Sequence, residues 1–172
     1  MKINNRKLAM LYIALLFGIS QVFAQKNRPS PAKTAEGNIA GAKVTIKYSS
    51  PAVKGRTIWG DLVPYDAVWR AGANEATTFT TDKKLDILGN KLEAGTYSFF
   101  VIPKSDGKWT VIFNSDANQW GAYKYKESKD IVRIEVEAKD VEKLNERLDY
   151  KVEENAVTLV WERKSISIPI GV

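Results

Sequence analysis

The residue types that could carry chemistry fall in two stretches. The first, Lys54 to Thr78 (KGRTIWGDLVPYDAVWRAGANEATT), sets Trp59, Trp69, Arg56, Arg70, Asp61, Asn74 and Glu75 around Gly55, Gly60 and Gly72. The second, Gln119 to Tyr125 (QWGAYKY), adds Trp120, Tyr123 and Tyr125. Trp and Tyr on loops supply flat stacking faces, while Arg, Asn, Gln and Glu can orient hydroxyls or carboxylates. Arg70, Asn74, Glu75, Trp120 and Tyr123 are therefore the candidate ligand-binding residues. The same stretches also have a structural reading, in which Trp59 and Trp69 are core and Arg70 pairs with Glu75 to pin a long loop. The usual burial of large aromatics favours that second reading.

The chain has no His and no Cys. That removes Ser-His-Asp and Cys-His catalysis, thiolate chemistry, and the commonest ligands for zinc, copper and non-haem iron. Carboxylate, Lys, Tyr, Ser/Thr and Arg chemistry remains. Asp61 and Glu75 could form the acid pair of a glycosidase, which needs two carboxyls roughly 5–9.5 Å apart across the scissile bond. Ser30-Pro-Ala-Lys33 matches a Ser-x-x-Lys pattern, but the Lys-Thr-Gly and Ser-Asp-Asn elements that must accompany it do not occur. Asn114, Asp116 and Asn118 resemble the first half of a calcium loop. The positions that should then hold Gly and Glu carry Gln119 and Tyr125, so an Asx-capped turn is the better reading. No catalytic residue, metal site or cofactor is assigned.

These stretches must be held by the rest of the chain, where the dominant period is two. Val44, Ile46 and Tyr48, then Trp109, Val111 and Phe113, then Val132, Ile134 and Val136 alternate with residues such as Lys47, Thr110, Ile112, Arg133 and Glu135. Leu148, Tyr150 and Val152, Val157, Leu159 and Trp161, and Ile166, Ile168 and Ile170 repeat the pattern. Successive strand side chains point to opposite faces, so such alternation predicts strands with one face buried and one wet. Tyr97 to Ile102 (YSFFVI) is almost continuously apolar and predicts a central strand covered on both faces. Turn signals at Glu93–Thr96, Ser105–Lys108 and Glu153–Asn155 separate these runs. Asp140–Arg147, with a capping Asp and apolar Val141 and Leu144, is the one helical candidate. The expected fold is all-β: an antiparallel β-sandwich, jelly-roll or immunoglobulin-like, with at most one short helix.

At the N-terminus, Lys2, Arg6 and Lys7 precede an apolar run from Leu8 to Ile19, and Val22-Phe23-Ala24 places small residues before Gln25. This order predicts a signal peptide over residues 1–24. The apolar run is too short for the ~20 residues of a spanning helix. Cleavage takes Lys+Arg from 26 to 23 while Asp+Glu stays at 20, lowering the net charge from +6 to +3. The remaining Lys and Glu interleave rather than forming a basic stripe, which argues against nucleic acid. Residues 25–42, rich in Pro, Gly, Ala and polar side chains, read as a leader or linker loosely ordered at its start. Residues 43–172 read as one domain. No membrane span is expected after cleavage, and the product would be periplasmic or extracellular. Oligomeric state is not legible.

The motifs also carry a resemblance. Tyr48-Ser-Ser-Pro51, Val53-Lys-Gly-Arg56, Leu62-Val-Pro-Tyr65, Val68-Trp-Arg70 and Gly72-Ala-Asn-Glu-Ala-Thr77 resemble the hallmark run of domain-of-unknown-function family 2911. Leu92-Glu-Ala-Gly-Thr-Tyr-Ser98 follows with Glu93 where the family usually has Pro, and then Trp109 to Asn114, Trp120-Gly-Ala-Tyr123, Asp130-Ile-Val-Arg133 and Leu159-Val-Trp-Glu162. The likeness runs from Arg28-Pro-Ser-Pro31 to Ile168-Pro-Ile170. It implies an exported bacterial protein and supplies no catalytic residues. Two functional readings stand at this point. One is a non-catalytic binding or structural module of the cell envelope, taking a glycan or another envelope ligand. The other is a carboxylate-dependent hydrolase acting on a sugar-like substrate.

Overall fold

The computed structural model describes residues 28–171, so the segment read as a signal peptide lies outside the described residues. Nine strands are formed among the described residues: β1 (Ala32–Ile39), β2 (Ala42–Ser49), β3 (Thr77–Thr81), β4 (Leu85–Ile87), β5 (Asn90–Leu92), β6 (Gly95–Ile102), β7 (Lys108–Asn114), β8 (Asp130–Val152) and β9 (Ala156–Pro169). All strand pairs are antiparallel. The all-β expectation therefore holds, but two facing sheets are not what the pairing shows. Seven strands form one sheet in the order β1-β2-β3-β6-β7-β8-β9, and β4-β5 is a separate hairpin.

The sheet is nearly barrel-shaped because β8 is long and bends. Its first half pairs with β7, while register shifts between Asp140 and Asn145 and between Asn145 and Asp149 redirect the rest. The redirected half runs past β1 and the segment after β2. Leu148 N–H donates to the Pro51 carbonyl at 3.0 Å, and Val53 N–H to that of Glu146 at 2.8 Å. Val152 approaches β1 so closely that a Cβ on Gly37 would lie 2.7 Å from its Cγ1.

Two expectations are corrected here. Asp140–Arg147 is not a helix but extended chain inside β8. A single 3-10 turn, Glu127–Lys129, is the only helical element among the described residues. Val141 and Leu144 have helical spacing, yet Val141 is half-buried and Leu144 exposed, so no apolar stripe exists for a helix to bury. The second correction concerns residues 25–42. This stretch is not all leader, since Ala32–Ile39 pairs with β2 from Ala32↔Ser49 to Ile39↔Ala42.

The inward residues of the alternating runs form the core as expected. Four of the five Trp meet inside it: Trp59 lies 5.7 Å from Trp69, 4.5 Å from Trp109 and 5.8 Å from Trp161, ring centre to ring centre. Phe79, Phe99, Phe113 and Tyr150 continue this aromatic interior with edge-on contacts. The β4-β5 hairpin inserts Leu85, Ile87 and Leu92 into the same core. β6 is covered on both faces, with Phe99, Phe100 and Val101 all buried. β7 departs from simple alternation, because Thr110 and Ile112, expected to be wet, are buried as well. The cover is a small second cluster in which Val68, Ala122 and Tyr125 pack on Ala76, Phe100 and Ile112. Parts of both chemically interesting stretches thus lie over the outer face of the sheet, packed on β6 and β7, while Trp59, Val63 and Trp69 of the first reach the main core.

Candidate functional site

The long connection between β2 and β3 reaches its destination by borrowing sheet hydrogen bonds. Trp69 and Val101 exchange both backbone bonds, at 2.8 and 2.9 Å, so the connection extends the sheet along β6 before β3 begins. The chain then turns sharply, with Ala71 at φ 50° and Asn74 at φ 60°. Left-handed backbone suits Asn, whose short polar side chain tolerates it. Beyond the turn, Glu75 bridges Trp120, Ala76 N–H donates to the Gln119 carbonyl at 3.0 Å, and Gly121 N–H to that of Asn74 at 3.1 Å. Two loops distant in sequence are thereby zipped into one ridge.

A groove of about 650 Å³ opens on one side of this ridge, where β2 and β3 part. Its lining includes Arg28, Lys33, Thr34, Lys47, Tyr48, Glu75, Thr78, Asn118, Gln119 and Trp120. Arg28 grips Glu75 through Nη1, at 2.8 Å to Oε1 and 3.1 Å to Oε2, across the mouth. Asn74 Nδ2 adds a weaker contact to the Ser30 carbonyl at 3.4 Å. Trp120 is 55% exposed at the rim, the one exposed Trp. Gln119 is buried, and its Oε1 has no hydrogen-bond partner among the described residues.

The five candidates divide across the ridge. Glu75 and Trp120 line the groove. Arg70 and Tyr123 line a smaller cleft of about 290 Å³ on the other side. Asn74, between them, accepts Arg70 Nη1 on its carbonyl at 3.0 Å. The pairing of Arg70 with Glu75 is therefore corrected: Arg70 holds the turn through the backbone, and Glu75 takes Arg28 instead. Asp61 is exposed and lines neither cavity, so it and Glu75 share no cleft of the kind an acid pair requires. Sequence reasoning missed the groove's contributions from Arg28, Lys33, Lys47 and Tyr48, which lie in or before β1 and on β2.

Two titratable groups of the groove, Glu75 and Tyr48, are held in their ordinary charge states. Burial works to raise the Glu75 carboxyl, but the Arg28 hydrogen bond and charge outweigh it and hold the group below the usual carboxylate range. Burial, reinforced by the hydrogen bond of 2.7 Å to Asp149, pushes the Tyr48 phenol up. Asp149 also takes Lys33 at 3.3 Å. A carboxylate kept ionised accepts hydrogen bonds, and a phenol kept protonated can donate one, so both can orient a ligand. Asn114, Asp116 and Asn118 form the expected turn. Asp116 N–H donates to Asn114 Oδ1 at 3.1 Å, and Lys129 takes the Asp116 carboxylate at 2.8 Å.

The family model described as protein of unknown function (DUF2911) matches residues 30–170, which is most of the chain. The chain belongs to this family. The match begins at Ser30, just before β1, and so includes the part of residues 25–42 that the structure places in the sheet. No curated protein and no solved structure matches the chain. The family match thus covers both loops of the ridge and every groove residue except Arg28.

The depressed Glu75 carboxyl has a consequence for stability. A group whose pKa is lower folded than unfolded stabilises the fold above its unfolded value, and that contribution is lost as pH falls through the folded one. Glu75→Gln should therefore lower the unfolding temperature at pH 7, with the gap to wild type closing below about pH 4.5. Calorimetric scans of both proteins between pH 7 and pH 3 check this. A gap independent of pH would mean that the Arg28–Glu75 pair contributes nothing.

Proposed function

We propose that this protein is a non-catalytic binding module exported to the cell envelope, and that its groove takes a glycan or a similarly hydroxyl-rich envelope ligand. The observation that carries the reading is the exposed Trp120 indole at the rim of a groove that also presents several hydrogen-bonding side chains. An aromatic face packs against the apolar face of a sugar ring, while Thr34, Thr78, Asn118 and the Arg28–Glu75 pair offer donors and acceptors for its hydroxyls. Lys47 adds a positive charge, which suits an acidic saccharide. Asp61 and Glu75 share no cleft, which favours binding over hydrolysis by that acid pair.

The test is a broad glycan array followed by intrinsic fluorescence titration with any hit. The expected result is a saturable change in Trp emission that disappears in Trp120→Phe, the other four indoles being buried or half-buried away from the groove. Trp120→Ala should weaken binding by roughly tenfold or more, the scale expected when an aromatic stacking face and its buried area are removed. It should also leave stability within about 0.5 kcal/mol, as for other exposed positions. No binding across the array rejects the ligand class.

A further inference from the structure

The cleft on the far side of the ridge is smaller than the groove and has a different set of side chains. Its floor is apolar: Val63 and Trp69 are buried, and Val68 and Ala122 half-buried. Its rim carries two of the large exposed apolar side chains among the described residues, Leu62 at 44% and Tyr123 at 82% exposure. One charge faces it, Arg70, and no acid shares the lining. Arg70 spends Nη1 on the Asn74 carbonyl, and among the described residues no carboxylate oxygen lies within 4.0 Å of its guanidinium. A guanidinium has five N–H donors in a planar fork, so most of its capacity is open.

Gly121 shows how tightly this corner is built. Its φ of 65° is left-handed, and a Cβ there would lie 3.2 Å from Arg70 Nη1 and 3.1 Å from the Tyr123 ring. The bare backbone of Gly121 therefore lets the cation and the ring close together over it. A half-buried, unneutralised cation in a slot whose other side chains are mostly apolar suits an anion that brings its own apolar body.

We propose that this cleft is a second ligand site, independent of the groove, and that it binds a small apolar monocarboxylate. The carboxylate takes the Arg70 fork, and the apolar tail lies between Leu62, Val68 and Tyr123. A volume of about 290 Å³ is at the low end for small-molecule sites, which limits the occupant to a short chain or a single ring. The slot has no acidic side chain to pair with a cationic ligand, and its lining has no amide or aliphatic hydroxyl side chain for a sugar.

The experiment compares sodium hexanoate with hexanamide, the same tail without the charge, by amide NMR shifts on the intact protein. Hexanoate should shift residues 62–70 and 121–123 saturably, and bind at least about tenfold more tightly than hexanamide, as a charge-assisted hydrogen-bond pair predicts. Arg70→Gln keeps a donor for the Asn74 carbonyl while removing the charge, and should abolish that preference. If this variant does not fold, the two probes on the wild-type protein decide alone. Equal affinity for both probes, shifts centred on Trp120 instead, or no saturation would each overturn the site.

Discussion

Trp161→Ala should cost the protein about 4 kcal/mol, enough to remove much of the stability of a domain of this size. Trp161 is 1% exposed and lies 5.8 Å from both Trp59 and Trp69, edge-on to the first and nearly parallel to the second. It stands on β9 at the point where the β8–β9 hairpin bends, next to Glu162, whose φ is 55°. Truncation there opens a cavity that three indoles and a bent hairpin cannot fill, because all are held from several sides. Trp161→Phe should cost clearly less. The Trp161 Nε1–H is buried without a partner among the described residues, so its removal relieves a desolvation penalty while most of the ring volume remains. Urea unfolding of the two variants beside Trp120→Ala gives the comparison. A loss below about 1 kcal/mol for Trp161→Ala would mean that the four-Trp core is not packed as described.

The core is legible in the sequence because it is written in period two. Trp109, Val111, Phe113, Leu159, Trp161, Ile166 and Ile168 all occupy the inward positions that alternation assigns to them. What escapes has physical causes. β1 reads as linker because its half-buried inward positions before Ile39 are Ala35 and Gly37, and Gly37 must be small where Val152 presses against it. Close approach of another strand thus erases the apolar signal that would have revealed the strand. Asp140–Arg147 reads as helix for a related reason. Its conformation is set by β9 and by the residues after β2, and pairing with such distant partners overrides local propensity. In β7, Ile112 is buried by loops from elsewhere in the chain, a cover that a single strand's pattern does not record.

The candidate site is legible in composition but not in grouping. Arg70 and Glu75 look like partners because they flank one short turn, yet the carboxylate is held by Arg28, 47 positions upstream. Trp120 and Tyr123 look like one aromatic group, yet they line different cavities. Sequence spacing shows which residues share a loop. The ridge that divides them arises from hydrogen bonds between two loops, and no local pattern encodes it.

Because that ridge depends on a tight turn, Gly72→Val should disrupt fold and groove together. A Cβ added at Gly72 would lie 2.8 Å from Thr77 Oγ1 and 3.2 Å from the Ser49 carbonyl. Neither neighbour can retreat easily. The Thr77 hydroxyl donates to the Ala71 carbonyl at 3.0 Å, and the Ser49 carbonyl accepts Ala73 N–H at 3.2 Å. Tyr150, wholly interior, donates its phenol to the same Ala71 carbonyl at 2.7 Å, which anchors the turn from below. Overpacking of this kind costs about 1–3 kcal/mol, and a branched side chain against a backbone carbonyl belongs at the upper end. The strain must move residues 73–76, which carry Asn74 and Glu75 and zip to Gln119 and Trp120. Hydrogen exchange at the Ala76 amide, bonded to the Gln119 carbonyl, reports that movement directly. The expected result is a loss of about 3 kcal/mol in urea unfolding, with Ala76 protection falling more than that of the Val101 amide on β6. If Gly72→Val were as stable as wild type and Ala76 remained protected, the turn would have room to spare, and the groove could not be a surface preformed by the core.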